Sequence, residues 1–448
     1  MGHITSKSYL HLQKRLDKNA QGAPASDTLF RILEILFTEK EAELVSKLPI
    51  RLFTAADAAK RWKIKEDEAE KLLDELADKG LLMDFEKEKT RAFVLPPTMA
   101  GFFEFSLMRT DGRFDRKVLS ELFYQYINQE EDFVRMLFGL NLPADRTLIH
   151  EETIPDKSVV LDYEMATCII NTASCITVGI CYCRHKMSHL GKACDMPQEV
   201  CLTFNNAAES LAKHGIARKI SKEEAMKILD LCKSKGLVQI GDNVQKGVNW
   251  MCNCCGCCCE ALQGYKRLGY KSRIQSNYLA VVDNEKCASC KLCVTKCPVE
   301  AIAYDDKTDK IVIDAEKCIG CGVCARFCSS HALSMKRVRK QYVPRDSFER
   351  IVVNAIEEGK LQDYIFDNYD LWTNELLREF LKVILKLTPR KLLMANMQLR
   401  SRFLAFAEQT KMHELYEKLF EEGKSVKPGD VKLSVDVAAK RAGKSHSR

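Results

Sequence analysis

Residues 287–298 read CASCKLCVTKCP and residues 318–328 read CIGCGVCARFC. The first run spaces its cysteines Cys-x2-Cys-x2-Cys-x3-Cys, at Cys287, Cys290, Cys293 and Cys297, and Pro298 closes it. The second repeats that spacing thirty-one positions later, at Cys318, Cys321, Cys324 and Cys328. Three thiolates two residues apart wrap three corners of one cube of iron and sulfide, and a fourth displaced by three reaches a second cube. Zinc prefers two pairs set well apart around one tetrahedral ion, and these triplets are too close for that. Haem attachment is excluded as well, because Cys290, Cys293, Cys321 and Cys324 are followed by Lys, Val, Gly and Ala rather than His.

Around these runs, residues 281–338 resemble a bacterial two-cluster [4Fe–4S] ferredoxin, about 58 of the 448 residues. The resemblance rests on both cysteine runs, on CPVEAI at 297–302, on the hairpin 303–314 and on KCIGCGVC at 317–324. It implies a βαββαβ module with two [4Fe–4S] clusters. One would be held by Cys287, Cys290, Cys293 and Cys328, the other by Cys318, Cys321, Cys324 and Cys297. Ser329 departs from the family, which usually carries a second Pro there; the ligands stay intact but the turn beside the first cluster is re-aimed. A cube whose irons are all thiolate-bound has no open site, so it moves single electrons. Lys286, Lys291, Lys296, Lys317 and Arg326 flank the ligands, and positive charge there predicts a less negative potential than in an acidic ferredoxin.

The rest of the chain frames this module. Its 448 residues suggest about three domains. Apolar residues at 46% and charged residues at 29% exclude wholesale disorder. No apolar run is long enough to span a membrane and the start lacks a signal peptide's apolar core, so a soluble, cytoplasmic protein is expected. The 21 cysteines fall between Cys168 and Cys328, and in a reducing cytosol such bunching means metal rather than disulfides. The expected fold class is α+β and multidomain. A helical, winged-helix-like part at 1–142 leads to a cysteine-rich α/β domain at 143–280 and the ferredoxin module at 281–338. Helices follow at 339–423, with a flexible tail at 424–448.

In the first part, residues 28–48 put Leu29, Ile32, Leu33 and Leu36 on one helical face. A short Thr-capped helix at 54–62, a second helix at 66–79 and two strands within 81–95 make a winged-helix plan. DNA is nevertheless a disfavoured partner. The second helix carries seven acids and one base between Glu66 and Asp78, the wrong sign for phosphates. A scaffold or protein-docking role is preferred. The aromatic run from Met99 to Leu140 reads as helical core.

Two further cysteine groups precede the module. The segment 176–184, ITVGICYCR, reads as a strand on which Cys181 and Cys183 share a face, and the following loop returns Cys194 and Cys201 to them. Residues 251–259, MCNCCGCCC, place Cys252, Cys254, Cys255, Cys257, Cys258 and Cys259 within eight positions, and Gly256 frees the backbone to fold tightly. Ten thiols in all suggest one or two further iron–sulfur clusters, with a soft-metal site for zinc or copper(I) as the alternative. Cys168, Cys175 and Cys232 are read as core. His185 and His189 are read as surface or cluster-flanking residues ahead of cluster ligands, and Arg184 as a charge partner.

Beyond residue 338 the pattern is helical. Residues 331–448 hold 23 Lys and Arg against 16 Asp and Glu, so the whole net charge of +7 sits there. Such a part suits peripheral or protein docking. The whole layout is similar to multi-cluster [4Fe–4S]-binding proteins of anaerobic microbes, a resemblance that supplies no substrate. Dinucleotide, Walker, nucleophile-elbow and HExxH motifs are absent. The expectation is an electron-transfer protein between redox partners, with an open iron at 252–259 making it a reductase and a closed cube an electron-transfer subunit. A redox-sensing transcription regulator using the winged helix is the rival.

Overall fold

The computed structural model describes residues 5–19, 21–87, 90–139, 145–155, 162–269 and 274–337, with single positions 344, 360 and 363. The helices expected beyond 344 and the tail therefore lie outside the described residues. No helix among the described residues is long and apolar enough to cross a membrane.

The chain is a mixture of helix and sheet. It starts with α1 (Lys7–Asp17), α2 (Asp27–Leu36) and α3 (Glu39–Ser46). The single helix expected over 28–48 is thus two. Thr38 accepts the Glu41 N–H while the Glu41 carboxylate accepts the Thr38 N–H, and this capping box starts a new helix. A second box at Thr54 and Asp57 starts α4 (Ala55–Trp62), and left-handed Lys63 turns the chain into α5 (Glu66–Asp78). The hairpin β1 (Met83–Lys87) and β2 (Thr90–Val94) follows, with Phe53 bridging Phe93.

The aromatic run is core but not one helix. Met99, Ala100 and Gly101 leave helical geometry after Pro96-Pro97, and α6 (Phe103–Leu107), α7 (Arg116–Tyr124) and α8 (Asp132–Gly139) follow. Phe103 meets Phe123, Phe102 and Tyr126 with ring centres 4.6, 5.0 and 6.2 Å apart. Such offset and edge contacts each add about 0.5–1.5 kcal/mol beyond area burial.

The middle region contains β3 (Asp145–Leu148), α9 (Ala166–Thr172), β4 (Ile176–Ile180), α10 (Tyr182–His189), β5 (Glu199–Phe204) and α11 (Asn205–Lys213). It continues with β6 (Arg218–Lys219), α12 (Lys222–Ser234), β7 (Val238–Asp242), β8 (Trp250–Cys254) and α13 (Glu260–Leu268). The six strands lie in the order β3-β7-β8-β5-β4-β6 and every pair is antiparallel. The region is therefore α+β rather than the α/β expected from its alternating pattern, since no right-handed parallel crossover joins its strands.

The hairpin does not stand free. Met83, Phe85 and Ala92 pack with Phe105, Leu211 and Ile216. Buried Asp84 accepts hydrogen bonds from Ser210 Oγ at 3.0 Å, Lys213 Nζ at 2.7 Å and Arg91 Nη2 at 2.8 Å, and lies 3.0 Å from His214 Nε2. Opposite charges on three sides hold its carboxyl far below the usual range, outweighing burial, which acts the other way.

The last described elements are β9 (Tyr278–Val282), α14 (Leu292–Lys296), β10 (Ile302–Asp305), β11 (Lys310–Ile313), α15 (Val323–Arg326) and β12 (Leu333–Arg337). Their order is βαββαβ. β9 pairs with β12, Ala280 opposite Met335, and β10 pairs with β11, Ala303 opposite Val312. This arrangement places one short helix and its flanking cysteine loops on each side of a pseudo-repeat.

Candidate metal centre

In the βαββαβ segment each cysteine run wraps the start of a short helix. Lys291 and Gly322 precede α14 and α15 in left-handed conformation, so the chain turns sharply between the second and third cysteine of each run. Cys297, Cys318, Cys321 and Cys324 converge on a small cavity of about 20 Å³, walled also by Val299, Ile302, Ile319 and Met335. Burial pushes the Cys321 and Cys324 thiols up, and raises Cys297 despite backbone N–H groups nearby, the Ala301 N–H at 3.2 Å among them. Four thiols around an apolar cavity fit a sulfur-ligated group whose positive irons deprotonate them. Burial raises the Cys293 thiol, and the nearby Cys287 and Cys290 add to that. Cys328, at the far end of α15, lies 3.5 Å from Ser330 Oγ.

The five cations expected to bias the potential are largely engaged. Lys286 pairs with Asp283 at 2.9 Å, Lys291 with Asp306 at 3.5 Å, Lys317 with Asp314 at 3.7 Å and Arg326 with Glu152. Lys296 lies over the Phe327 ring. Acids thus offset the field of four of these cations at the ligands; Asp283 and Asp314 stand three residues before their lysines, whereas Glu152 comes from far along the chain.

Upstream, the strand expected over 176–184 ends at Ile180. Cys181 is the N-cap of α10 and Cys183 lies in its first turn, so the two meet by helix geometry and not by strand alternation. The His185 N–H bonds the Cys181 carbonyl at 2.9 Å, committing the chain to the helix right after the β-bulge at Gly179 and Ile180. Alternation does apply on β8: Cys252 and Cys254 share a face, while Asn253 turns away to bond Gln239 and the Val200 carbonyl. Cys201 comes from β5 and Cys259 caps α13.

The ten sulfurs sort into two sets. Cys194, Cys255, Cys257 and Cys258 form a compact quartet with all sulfurs within 4.8 Å of one another. The other six follow one another as interacting neighbours in the order Cys181, Cys183, Cys259, Cys254, Cys252, Cys201, a ring in outline, with the last two sulfurs 3.9 Å apart. Cys181 also lies in the electrostatic field of Cys252, and Cys201 in that of Cys181. Thiol acidity alternates around this ring. Cys181, Cys252 and Cys259 fall below the usual range because neighbouring thiols donate to them, and Cys183, Cys201 and Cys254 rise because they donate. Six sulfurs this close cannot all be thiolates without cations between them, which is the electrostatic condition a metal–sulfur cluster meets.

Arg184 is fully buried between the sets. Its Nη1 donates to the Asn253 carbonyl at 3.1 Å and lies 3.7 Å from Cys255 Sγ, while Nε and Nη2 find no acceptor. Burial opposes its charge, but Cys181, Cys255 and Cys254 more than restore it. A buried guanidinium facing thiols suits an anionic metal–thiolate centre, as its sequence position suggested. Sequence reading missed the neighbouring network: buried Lys186 bonds Glu260 and, at 2.7 Å, Asn128, tying α10 to α13. Burial lowers that ammonium to about 8. It also missed Glu104, which accepts the Ala100 and Gly101 N–H groups at 2.8 and 3.0 Å, lies in the field of Cys252 and is raised by burial to about 7. Only the adjacency of Glu260 to Cys259 offered a sequence signal.

His185 Nδ1 lies 2.7 Å from the Leu107 carbonyl and its Nε2 3.2 Å from His189, so both rings are occupied away from the sulfurs. Cys175 and Cys232 are core, Cys232 packing beside Cys255 and Cys258. Cys168, expected in the core, is only half-buried on α9.

Gly256 has a different use from the one expected. A Cβ there would lie 3.0 Å from Pro298 Cα and closer still to its carbonyl oxygen. The glycine allows the upstream loop to rest directly on the turn that carries Cys297.

Residues 279–329 match the family described as a 4Fe-4S dicluster domain. No curated protein and no solved structure matches the chain. The match and the cysteine clusters support an iron–sulfur protein.

Proposed function

We propose that the protein transfers single electrons through two ferredoxin-type [4Fe–4S] clusters to or from a further iron–sulfur centre, as a component of an anaerobic oxidoreductase system. Cys287, Cys290, Cys293 and Cys328 would hold one cluster and Cys318, Cys321, Cys324 and Cys297 the other. The ring of Cys181, Cys183, Cys201, Cys252, Cys254 and Cys259 would hold the further centre. Such clusters supply one-electron storage at iron held by thiolate. The chain's own residues set their surroundings. Val299, Ile302, Ile319 and Met335 keep water from one set of ligands, Arg184 neutralises thiolate charge, and Lys186 with Glu260 fixes the two helices that begin at ring cysteines.

The observation that carries this reading is that the two cysteine regions share one core. Cys254 and Cys259 belong to the same buried cluster as Cys293, Cys318, Cys321 and Cys324, and Gly256 touches Pro298. Donor and acceptor would be redox proteins in the cytoplasm, docking at the basic part beyond residue 338, with residues 1–142 as scaffold. Docking of the β1–β2 hairpin against Leu211 and Ile216, and the acids of α5, speak against the regulator reading.

The test is anaerobic stopped-flow reduction of the full chain, monitored by absorbance and freeze-quench EPR. Cys290→Ser with Cys321→Ser should remove the ferredoxin-type signals and slow reduction of the remaining iron at least tenfold. An unchanged rate, with iron at the upstream centre intact, would refute the relay.

A further inference from the structure

The quartet and the ring differ in a way that decides what each can hold. Four thiolates around one tetrahedral ion with metal–sulfur bonds of about 2.3 Å stand about 3.8 Å apart. A cube instead places its thiolates outside four separate irons and spreads them to roughly 6 Å. In the quartet, Cys194 and Cys255 sulfurs are 3.6 Å apart, Cys257 and Cys258 3.7 Å, and Cys194 and Cys258 3.9 Å. All four lie within 4.8 Å of one another. Among the described residues, no three of the eight cysteines from Cys287 to Cys328 meet that spacing, nor do any three of the ring.

Sequence spacing agrees. Cys255 and Cys258 are separated by two residues, the knuckle spacing of zinc sites, and Cys194 and Cys257 complete the four. Arg184 Nη1 lies 3.7 Å from Cys255 Sγ, and its charge suits the net negative charge of four thiolates on a divalent ion. The ligands come from two separate loops. Cys194 lies between α10 and β5, and the other three lie between β8 and α13.

We propose that Cys194, Cys255, Cys257 and Cys258 hold a single zinc ion in a closed tetrathiolate site, separate from the iron–sulfur centres. The ion staples the loop after α10 to the loop after β8. Those loops adjoin every element that supplies the ring, and the closed site takes no part in electron transfer. The inference does not depend on the relay, because it concerns which metal the quartet binds.

The experiment is metal analysis and zinc-edge X-ray absorption on the full chain purified without air. The expected result is about one zinc per chain with four sulfur neighbours near 2.3 Å. Cys257→Ser, at the exposed ligand, should lower bound zinc at least fivefold while iron and acid-labile sulfide per chain stay constant. The wild-type spectrum needs no variant to fold, which keeps the test decisive. Absence of zinc, nitrogen or oxygen neighbours in place of sulfur, or a loss of iron and sulfide in Cys257→Ser, would each overturn it.

Discussion

Gly256→Ala tests the contact on which the relay depends. The Cβ would sit 3.0 Å from Pro298 Cα and closer to its carbonyl oxygen, against the Pro298 backbone and not against the end of a flexible side chain. Two effects compete. Gly256 is not among the glycines with positive φ, so alanine meets no conformational strain and should stabilise by about 0.4–1 kcal/mol through the unfolded chain. Overpacking against a fixed neighbour costs about 1–3 kcal/mol. Set against each other, the two leave a net loss of about 0–2.6 kcal/mol. The assay is the urea midpoint of the metal-loaded protein without air. A reference is Gly191→Ala, where φ is +66° and no atom lies within 4 Å, so the cost is conformational alone, about 1–2 kcal/mol. In Gly256→Ala, but not Gly191→Ala, reduction of the upstream iron should also slow. A stabilised Gly256→Ala protein with wild-type electron transfer would refute the claim that the loops rest on one another.

Asp84→Ala should cost about 3–5 kcal/mol, because Arg91, Lys213 and His214 would lose the acceptor they share at the edge of the hairpin, and denaturant titration reads this directly. The same cluster sets a pH profile. Asp84 is held below its unfolded value, so its contribution is present above about pH 4 and fades as pH falls further. His214 is raised by Asp84 and Asp78 against the effect of burial, so its contribution is full below about pH 6.5 and is lost as pH rises through the folded value. Unfolding midpoints measured from pH 3 to pH 9 should therefore lose the acid-side dependence in Asp84→Ala and show a weaker His214 dependence, which Asp78 still supports, and a profile identical to wild type would count against the assignment. Removing iron by chelation leaves the buried Cys321 and Cys324 thiols protonated around an apolar cavity. Limited proteolysis of that apoprotein should cut first between residues 287 and 328, whereas a digest unchanged from the loaded protein would show the segment to be stable without metal.

Much of this was legible before any coordinates. The doubled Cys-x2-Cys-x2-Cys-x3-Cys run announced its chemistry because its ligands are neighbours along the chain, and the helix cap at Thr54 and the hairpin after α5 are likewise local. Thr38 shows the limit of a hydrophobic stripe: Leu29 through Leu36 and the residues beyond share a helical period, yet a single capping box divides them. Cys181 and Cys183 show another. Their spacing permits either a shared strand face or a helix start, and the β-bulge with the hydrogen bond from the His185 N–H decides for the helix.

The sequence by itself determined that this protein is built around iron–sulfur chemistry, and which eight cysteines of the 279–329 segment are its candidate ligands. It could not divide the ten upstream thiols. Their grouping depends on β5, β8 and the starts of α10 and α13 converging from up to 78 residues apart, the span from Cys181 to Cys259. Only tertiary packing fixes sulfur-to-sulfur distances across such spans, and those distances separate a compact quartet from an open ring. Gly256 belongs with them. As one letter it signified backbone freedom, and in the fold it marks the point where two cysteine-bearing loops lie too close for a side chain.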